Sequence, residues 1–292
     1  MVIARLKGGM GNQMFQYALG LQLASLLGTN LKVDVSNLLY RNKGKDFVYR
    51  NYDLDTFRVE ADFLARPQVL SPFFNLRVKP LGQLVRRLAA GGYPVVEEPH
   101  FHFAPEILGQ AREGAIYEGW FQSPRYFAGV EDEVRAAFEY RHELLPESRD
   151  LHDRITATNS VCLNVRRTDF LTTDVLNATN QAYFERGAAY VAEHLDDPRI
   201  FVFSDDIAWF REHLKFGVPT EFVGHEHKGF KFGNYQRLMR DCKHFIIPNS
   251  SFAWWAAWLN TNPDKMVVAP KRWFTDPTID TTDLVAPDWV RL

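Results

Sequence analysis

An α/β fold with parallel sheets is predicted by three observations. The chain opens with a strand, a glycine-rich loop, a helix and a second strand, and its second half alternates short apolar strands with helices. Its 292 residues are 46% hydrophobic and 24% charged, a composition typical of a globular protein. A chain of this length commonly divides into two domains. We expect them at 1–150 and 151–292, with the polar segment from Ser148 to Asn159 as the linker.

The opening unit begins with a strand from Val2 to Leu6 and continues into a glycine-rich loop, Gly8-Gly-Met-Gly-Asn-Gln13. Apolar residues at helical spacing then predict a helix over 13–27, and alternation predicts a strand over 31–35. The loop matches two of the three glycines of the dinucleotide fingerprint, and Asp34 stands about where a ribose-binding acid would. Two interpretations stay open, namely a tight turn with close packing and a loop that contacts a ligand.

The second half reads as a doubly wound parallel sheet, in which ligands bind beyond the carboxyl ends of the strands. Four polar clusters stand at such ends. They are Arg166-Arg-Thr-Asp169, Ser204-Asp-Asp206, Pro248-Asn-Ser-Ser251 and Pro270-Lys-Arg-Trp273. The adjacent arginines and the helix start at Asn249-Ser250-Ser251 suit phosphate oxygens, and Asp205 and Asp206 suit ribose hydroxyls or a purine edge. Together they predict a nucleotide-diphosphate site, although an ordinary ion pair and a helix cap would explain single clusters.

Several classes of protein are disfavoured. Thirty-four basic against 36 acidic residues argue against a nucleic-acid partner, and the two cysteines predict buried thiols in a reducing compartment. The N-terminus predicts no signal peptide and no window predicts a membrane span, so we expect a cytoplasmic protein. A basic amphipathic stretch over 76–88 leaves open a peripheral contact with the inner face of the membrane. The pairs His100/His102 and His225/His227 lack a third ligand, so no metal is expected.

Five motifs in one order resemble glycosyltransferase family 11, the α-1,2-fucosyltransferases. The first runs from Gly8 to Ala18, and Val165-Arg-Arg-Thr-Asp-Phe170 is similar to the His-x-Arg-Arg-x-Asp motif shared more widely among fucosyltransferases. The remaining motifs are Phe203-Ser-Asp-Asp206, Asn249-Ser-Ser-Phe-Ala-Trp-Trp255 and Ala269-Pro-x-x-Trp273. The resemblance spans nearly the whole chain.

The resemblance implies a GT-B arrangement, in which two Rossmann-like domains face each other across a cleft. It implies an inverting transfer of L-fucose from GDP-β-L-fucose to the 2-hydroxyl of a galactose-terminated oligosaccharide, without a metal or other cofactor. The C-terminal domain would bind the donor through Asn164, Arg166, Arg167, Asp205, Asp206, Asn249, Ser250 and Ser251. The acceptor side would include Gly9, Gly11, Gln13 and Trp120, and Asn12 is a catalytic candidate in the loop that approaches the reacting centre.

The catalytic expectation follows from charge. The leaving diphosphate gains negative charge, so Arg166 and Arg167 are expected to stabilise the transition state, with Arg166 favoured. Asp169 is the candidate for orienting or deprotonating the acceptor hydroxyl, although a structural aspartate bound to arginine is an equal alternative. Asn164 replaces the usual histidine of the motif and cannot take up a proton near neutral pH.

Aromatic residues make up 14% of the chain and offer platforms for a sugar. The candidates near the predicted cleft are Tyr17, Trp120, Phe170 and Trp273, whereas Trp254, Trp255 and Trp258 are expected to form scaffold. Three rival functions stay open: a transferase that uses another sugar nucleotide, an NAD(P)-dependent oxidoreductase, and a non-catalytic glycan- or nucleotide-binding protein.

Overall fold

The computed structural model describes residues 1–39, 49–64, 92–165, 178–213 and 215–292. The chain divides into two compact units, Met1–Glu139 and Tyr140–Leu292. Each unit contains a parallel sheet with helices, and the predicted α/β class is confirmed. None of the helices in these ranges is long and apolar enough to cross a membrane.

The first unit contains a four-stranded parallel sheet. Its strands are β1 (Val2–Arg5), β2 (Leu31–Asp34), β3 (Val95–Glu97) and β4 (Ile116–Glu118), in the order β2-β1-β4-β3. Its helices are α1 (Met10–Leu27), α2 (Ser36–Leu39), α3 (Pro105–Gly109) and α4 (Glu131–Ala137). The helix predicted over 13–27 therefore begins three residues earlier than expected, directly after Gly9. The strand β3 was not predicted.

Helix α1 packs closely on the first two strands because Gly20 has no side chain. A Cβ atom at Gly20 would lie 2.6 Å from Leu31 Cδ1 and 3.2 Å from Ala4 Cβ. The helix ends at Gly28, whose φ of +58° favours glycine, and the amide of Gly28 donates to Ser25 O. The glycine-rich loop and the α1 N-terminus thus lie at a fixed place beyond the carboxyl end of β1.

The second unit contains a six-stranded parallel sheet. Its strands are β5 (Asn159–Val165), β6 (Pro198–Ser204), β7 (Thr220–Phe222), β8 (His244–Ile246), β9 (Val267–Ala269) and β10 (Val290–Arg291). The order is β10-β9-β8-β5-β6-β7, so the order of the strands reverses between β5 and β8. This is the doubly wound order of the dinucleotide-binding folds.

The helices of the second unit are α5 (Arg149–Ala157), α6 (Gln181–His194), α7 (Ile207–His213), α8 (Gly233–Arg240) and α9 (Ser251–Leu259). A core of aliphatic residues from β5, β6 and β8 packs against α6 through Val161, Leu163, Ile200, Ile246 and Val191. Trp254 is fully buried, stacks on Trp258 and donates from Nε1 to Leu284 O at 2.7 Å. The predicted scaffold role of the α9 tryptophans is confirmed.

The predicted linker from Ser148 to Asn159 is wrong. The segment is helix α5, in which Leu151 and Ile155 are buried one turn apart and most of the other side chains face solvent. Two apolar residues at i and i+4 are enough to pack a helix of nine residues against the protein core, although the other residues of the helix are mostly polar. The boundary between the units falls earlier, between Glu139 and Tyr140.

Candidate active site

Each unit has its own cluster of candidate polar residues at the carboxyl ends of its strands. In the second unit the reversal of strand order places Asn164, near the end of β5, beside the turn that follows β8. In open α/β sheets ligands bind in the crevice at such a reversal. The turn after β8 contains Asn249 and Ser250 and leads into α9.

Two buried oxygen atoms at this reversal have no hydrogen-bond partner among the residues that the structure describes. They are Asn164 Oδ1 and Ser250 Oγ, on residues that are 6% and 4% exposed. The Asn164 amide nitrogen donates to Phe203 O at 3.1 Å, which fixes the orientation of its side chain. An unpaired buried oxygen costs about 1–3 kcal/mol. Native proteins keep few such groups, and a ligand that donates hydrogen bonds would satisfy both.

Helix α9 begins beside Ser250, which is its N-cap residue in an extended conformation. The Ser250 hydroxyl does not cap the helix, and the first turn contains no acidic residue. Amide groups at the start of a helix attract anions such as phosphate. The helix start and the Ser250 hydroxyl therefore both offer hydrogen-bond donors at this turn.

The side chain of Asn249 makes two hydrogen bonds inside the protein. It is 4% exposed, donates from Nδ2 to Trp273 O at 2.9 Å and accepts from Thr179 Oγ1 at 3.1 Å. These bonds tie the turn after β8 to two neighbouring segments. Asn249 therefore positions this turn, and its predicted contact with the donor stays a prediction.

The remaining predicted donor residues lie along the same edge or outside the described residues. Asp205 and Asp206 follow β6, which neighbours β5, and both are half-buried. The Asp206 amide donates to Ser204 Oγ at 3.0 Å, and His225 Nε2 contacts Ser204 O at 2.8 Å. Arg166, Arg167 and Asp169 follow directly after β5 and, with Phe170 and the basic stretch 76–88, lie outside the described residues. Their roles stay predictions.

In the first unit a buried arginine joins three strands. Arg5 at the end of β1 donates from Nε to Asp34 Oδ2 on β2 at 2.8 Å, and its Nη1 pairs with Glu118 on β4. Arg5 and Asp34 are 3% and 2% exposed. Asp34 is therefore engaged by Arg5 and buried away from a ribose, which removes the acid expected of a dinucleotide site.

The glycine loop holds its shape through side chains of α1. Gly8 has a φ of +77°, and a Cβ atom there would lie 2.4 Å from Asn12 Nδ2. Gln13 is fully buried, donates from Nε2 to Gly8 O and Asn51 O at 2.9 and 2.8 Å, and accepts from the Asp53 amide at 2.9 Å. Gln13 thus shapes the acceptor-side loop through its hydrogen bonds and has no exposed surface for a sugar. Among the described residues, no atom would lie within 4 Å of a Cβ atom at Gly9, and Gly11 is buried.

The first loop is tied to the turn after β4. Gln16 accepts from the Lys7 amide at 2.9 Å and donates to Gly119 O at 3.0 Å. Asn12 Oδ1 accepts from Gln122 Nε2 at 2.7 Å. These bonds bring Lys7 and Trp120 together, with the ammonium 4.5 Å from the centre of the indole ring. Trp120 is 38% exposed, in keeping with a stacking platform.

The other described stacking candidates are buried. Tyr17 is 6% exposed and packs on Phe138 with ring centres 6.0 Å apart, and Trp273 is 3% exposed. Both are therefore scaffold, and the prediction that they stack on a sugar is wrong. Each lies in or beside a polar motif in the sequence, but each side chain points into the core of its unit.

A carboxylate that the sequence did not indicate, that of Glu98, also lies at the carboxyl ends of the strands in the first unit. Glu98, directly after β3, accepts from the Trp120 amide at 2.6 Å and from the Phe121 amide at 3.0 Å. Burial raises the pKa of Glu98 to about 7, against the opposing effects of these two amides and of Lys7. The available signal was the pair Val95-Val96, because recognition of that short strand would have placed Glu98 at a strand end.

No group of three or more His, Cys, Asp or Glu side chains arranged to hold a metal ion occurs among the described residues. His225 contacts Ser204 O, and His227 Nδ1 lies 3.0 Å from Ser148 Oγ. His100 and His102 stack on each other with ring centres 3.5 Å apart.

Comparison with known proteins assigns the chain to a class of enzyme. Residues 108–292 match the family Glycosyl transferase family 11, and the chain belongs to this family of glycosyltransferases. It is 28% identical to the Alpha-1,2-colitosyltransferase of Escherichia coli, over all of this chain and 98% of that protein. It is 26% identical to the O-antigen biosynthesis glycosyltransferase WbnK of Escherichia coli, over 98% of this chain and 99% of that protein.

Two solved structures share the fold. A single-site mutant of Arabidopsis thaliana FUT1 in complex with GDP has a TM-score of 0.52, with 10% identity over 92% of this chain and 70% of that one. NodZ alpha-1,6-fucosyltransferase co-crystallised with GDP has a TM-score of 0.50, with 15% identity over 88% of this chain and 91% of that one. At this identity the likeness is one of fold, and the predicted GT-B class is confirmed.

Replacement of Arg5 tests the buried ion cluster. Arg5→Met leaves the carboxylate of Asp34 buried without its cation, so we expect the free energy of unfolding to fall by about 3–5 kcal/mol. Arg154→Met is the matched control, because it breaks the pair with Glu221, whose side chains are 45% and 30% exposed. That change should cost about 0–1 kcal/mol. Urea unfolding of both variants measures the difference, and equal losses would contradict the importance of the buried cluster.

Proposed function

We propose that this glycosyltransferase moves L-fucose from GDP-β-L-fucose to the 2-hydroxyl of a galactoside, with inversion at the anomeric carbon. The observation that carries the proposal is that two buried oxygens at the strand reversal of this family 11 sheet, Asn164 Oδ1 and Ser250 Oγ, have no hydrogen-bond partner among the described residues. The Asn164 oxygen can accept a hydrogen bond from a hydroxyl group of a sugar nucleotide. The Ser250 hydroxyl can also donate a hydrogen bond, which suits a phosphate oxygen. The α-1,2 linkage in the name of the colitosyltransferase supports the linkage.

The donor would occupy the edge of the second unit. Asn164, Asp205 and Asp206 would contact the nucleoside, while Ser250, Ser251 and the start of α9 would receive the diphosphate. Arg166 and Arg167 would neutralise the charge that develops on the diphosphate as the glycosidic bond breaks. Donors held in place in this way would need no reorganisation during the reaction, and would therefore stabilise the transition state more than the bound substrate.

The acceptor would occupy the edge of the first unit. Trp120 would stack on the galactose ring, and Gly9 and Asn12 would line the approach of the reacting hydroxyl. Gly11 and Gln13 would hold this loop in shape. Both Escherichia coli relatives are glycosyltransferases, and the name of one places it in O-antigen biosynthesis, so we propose that the acceptor is part of a surface glycan.

A donor other than GDP-fucose is the second candidate, because the relative with 28% identity is named for the transfer of colitose. The deciding experiment offers the purified chain GDP-fucose, GDP-colitose and GDP-mannose with a set of galactosides, and identifies the products by NMR. We expect an α-1,2-linked fucosyl product. Transfer of colitose alone would replace fucose as the donor sugar, and binding of GDP without transfer would contradict the enzymatic proposal.

Asn164 gives a direct test of the donor site. Asn164→Ala removes one hydrogen bond to the nucleotide, so the Kd for GDP should rise about fivefold, the equivalent of about 1 kcal/mol. Asn159→Ala is the matched control on the same strand, because Asn159 lies at the opposite end of β5 and binds Asp196 O. Calorimetric titration of both variants should separate them, and an unchanged Kd in Asn164→Ala would remove Asn164 from the site.

The two arginines are expected to act mainly on turnover. Arg166→Ala and Arg167→Ala should each lower kcat by about 100- to 1,000-fold with GDP-fucose, the usual cost of losing one transition-state donor. Asp169→Asn should lower kcat without changing the affinity for GDP if Asp169 deprotonates the acceptor. Steady-state kinetics measure all three. Near-normal kcat in both arginine variants would refute the phosphate role, and a small change in Asp169→Asn would remove it as the base.

A further inference from the structure

Glu98 is a carboxylate held in one orientation at the acceptor-side edge. Its two oxygens accept from the amides of Trp120 and Phe121, which follow the neighbouring strand β4. Phe121 has a φ of +52°, an unfavourable conformation for a non-glycine residue, and the turn keeps it while both amides bond to one carboxylate. Gly119 is required beside Glu98, because a Cβ atom there would lie 2.5 Å from Glu98 Cβ. The backbone is therefore strained at Phe121, in the turn that positions Glu98.

The surroundings of Glu98 combine an exposed aromatic face with opposite charges. Lys7 extends over the ring of Trp120 from the end of β1, and its ammonium interacts electrostatically with Glu98, Glu97 and Glu118. Among the described residues, Arg5 acts on Lys7 and His100 acts on Glu98 as further charged or titratable groups. An indole face binds the apolar side of a sugar ring, and carboxylate and ammonium groups bind its hydroxyls.

The charge balance at Glu98 suits proton transfer. Burial favours the neutral acid, whereas Lys7 and the two amides favour the carboxylate, and the pKa of Glu98 is raised to about 7 as a result. A base works best when its pKa lies near the pH at which it acts. A carboxylate used only to hold a turn gains nothing from a raised pKa, since its neutral form accepts hydrogen bonds more weakly.

We propose that Glu98 binds the reacting hydroxyl of the acceptor sugar on Trp120 and takes up its proton during transfer. The inference rests on the proposed function. The acceptor oxygen forms the new bond to the anomeric carbon, the bond from that carbon to the diphosphate oxygen breaks, and the electron pair leaves with GDP. The proton of the hydroxyl passes to the Glu98 carboxylate, and solvent removes it after release of the product. Asp169, outside the described residues, is the alternative base.

The test compares pH profiles of the full chain with the donor and galactoside that the wild-type protein uses. Because the base must be ionised, kcat should rise with pH through about 7 in the wild-type protein. Glu98→Gln should lower kcat at least about 100-fold and abolish this ascending limb, with unchanged Kd for GDP. Glu106→Gln, at an exposed carboxylate in the first turn of α3, is the matched control and should keep both kcat and the limb.

A second variant guards against loss of folding in Glu98→Gln. Lys7→Met removes a positive charge that lowers the pKa of Glu98, so this pKa should rise and the ascending limb should move to higher pH. If Glu98 served only to hold the turn, Lys7→Met would leave the ascending limb at the same pH as in the wild-type protein. Retention of the limb in Glu98→Gln with kcat within threefold of wild type, or its loss in Asp169→Asn alone, would overturn this proposal only. A wild-type protein that transfers no sugar would overturn the proposed function as well.

Discussion

The buried ion pairs of Arg5 are the constraint on which the first unit depends. One guanidinium at the end of β1 bonds to carboxylates of both neighbouring strands, at Asp34 and Glu118. Charges with this little exposure are stable only when they are paired, so the three strand ends are fixed relative to one another. Lys7 lies two residues after the end of β1, and Gly119 directly follows β4. Their positions, and hence those of the loop and turn that carry Trp120, derive from this cluster.

The polar residues of the first motif, which runs from Gly8 to Ala18, also hold the segments around the strand ends in place. Gln13 and Gln16 are buried, and their amides bond to backbone atoms of the segments around the loop. Asn12 bonds to Gln122 after β4. A sequence motif rich in glycine and side-chain amides therefore holds the loop after β1 and the turn after β4 in one conformation. The exposed Trp120 lies outside this motif. Asn249 repeats this pattern in the second unit, where it positions Ser250.

The order of strands and helices in the second unit was predictable, because apolar strands of three to seven residues alternate with helices there. The rule that ligands bind at strand ends then singled out the segment that contains Ser250, and the family resemblance singled out Asn164; their contact with the donor stays a prediction. Helix α5 was missed because two apolar residues in nine look like a polar linker. Strand β3 and Glu98 were missed because a strand of three residues carries too little pattern. The burial of Tyr17 and Asp34 depends on partners far away in sequence, which periodicity does not reveal.

We propose that the donor binds to the second unit and the acceptor to the first. Hydrogen exchange of backbone amides, measured by mass spectrometry with and without each substrate, tests it most directly. GDP should slow exchange in the segments around Ser204–Asp206 and Asn249–Ser251. A galactoside added to the GDP-saturated protein should slow exchange around Glu98 and in the turn Gly119–Gln122. Protection by the galactoside in the second unit, with none at that turn, would contradict the account.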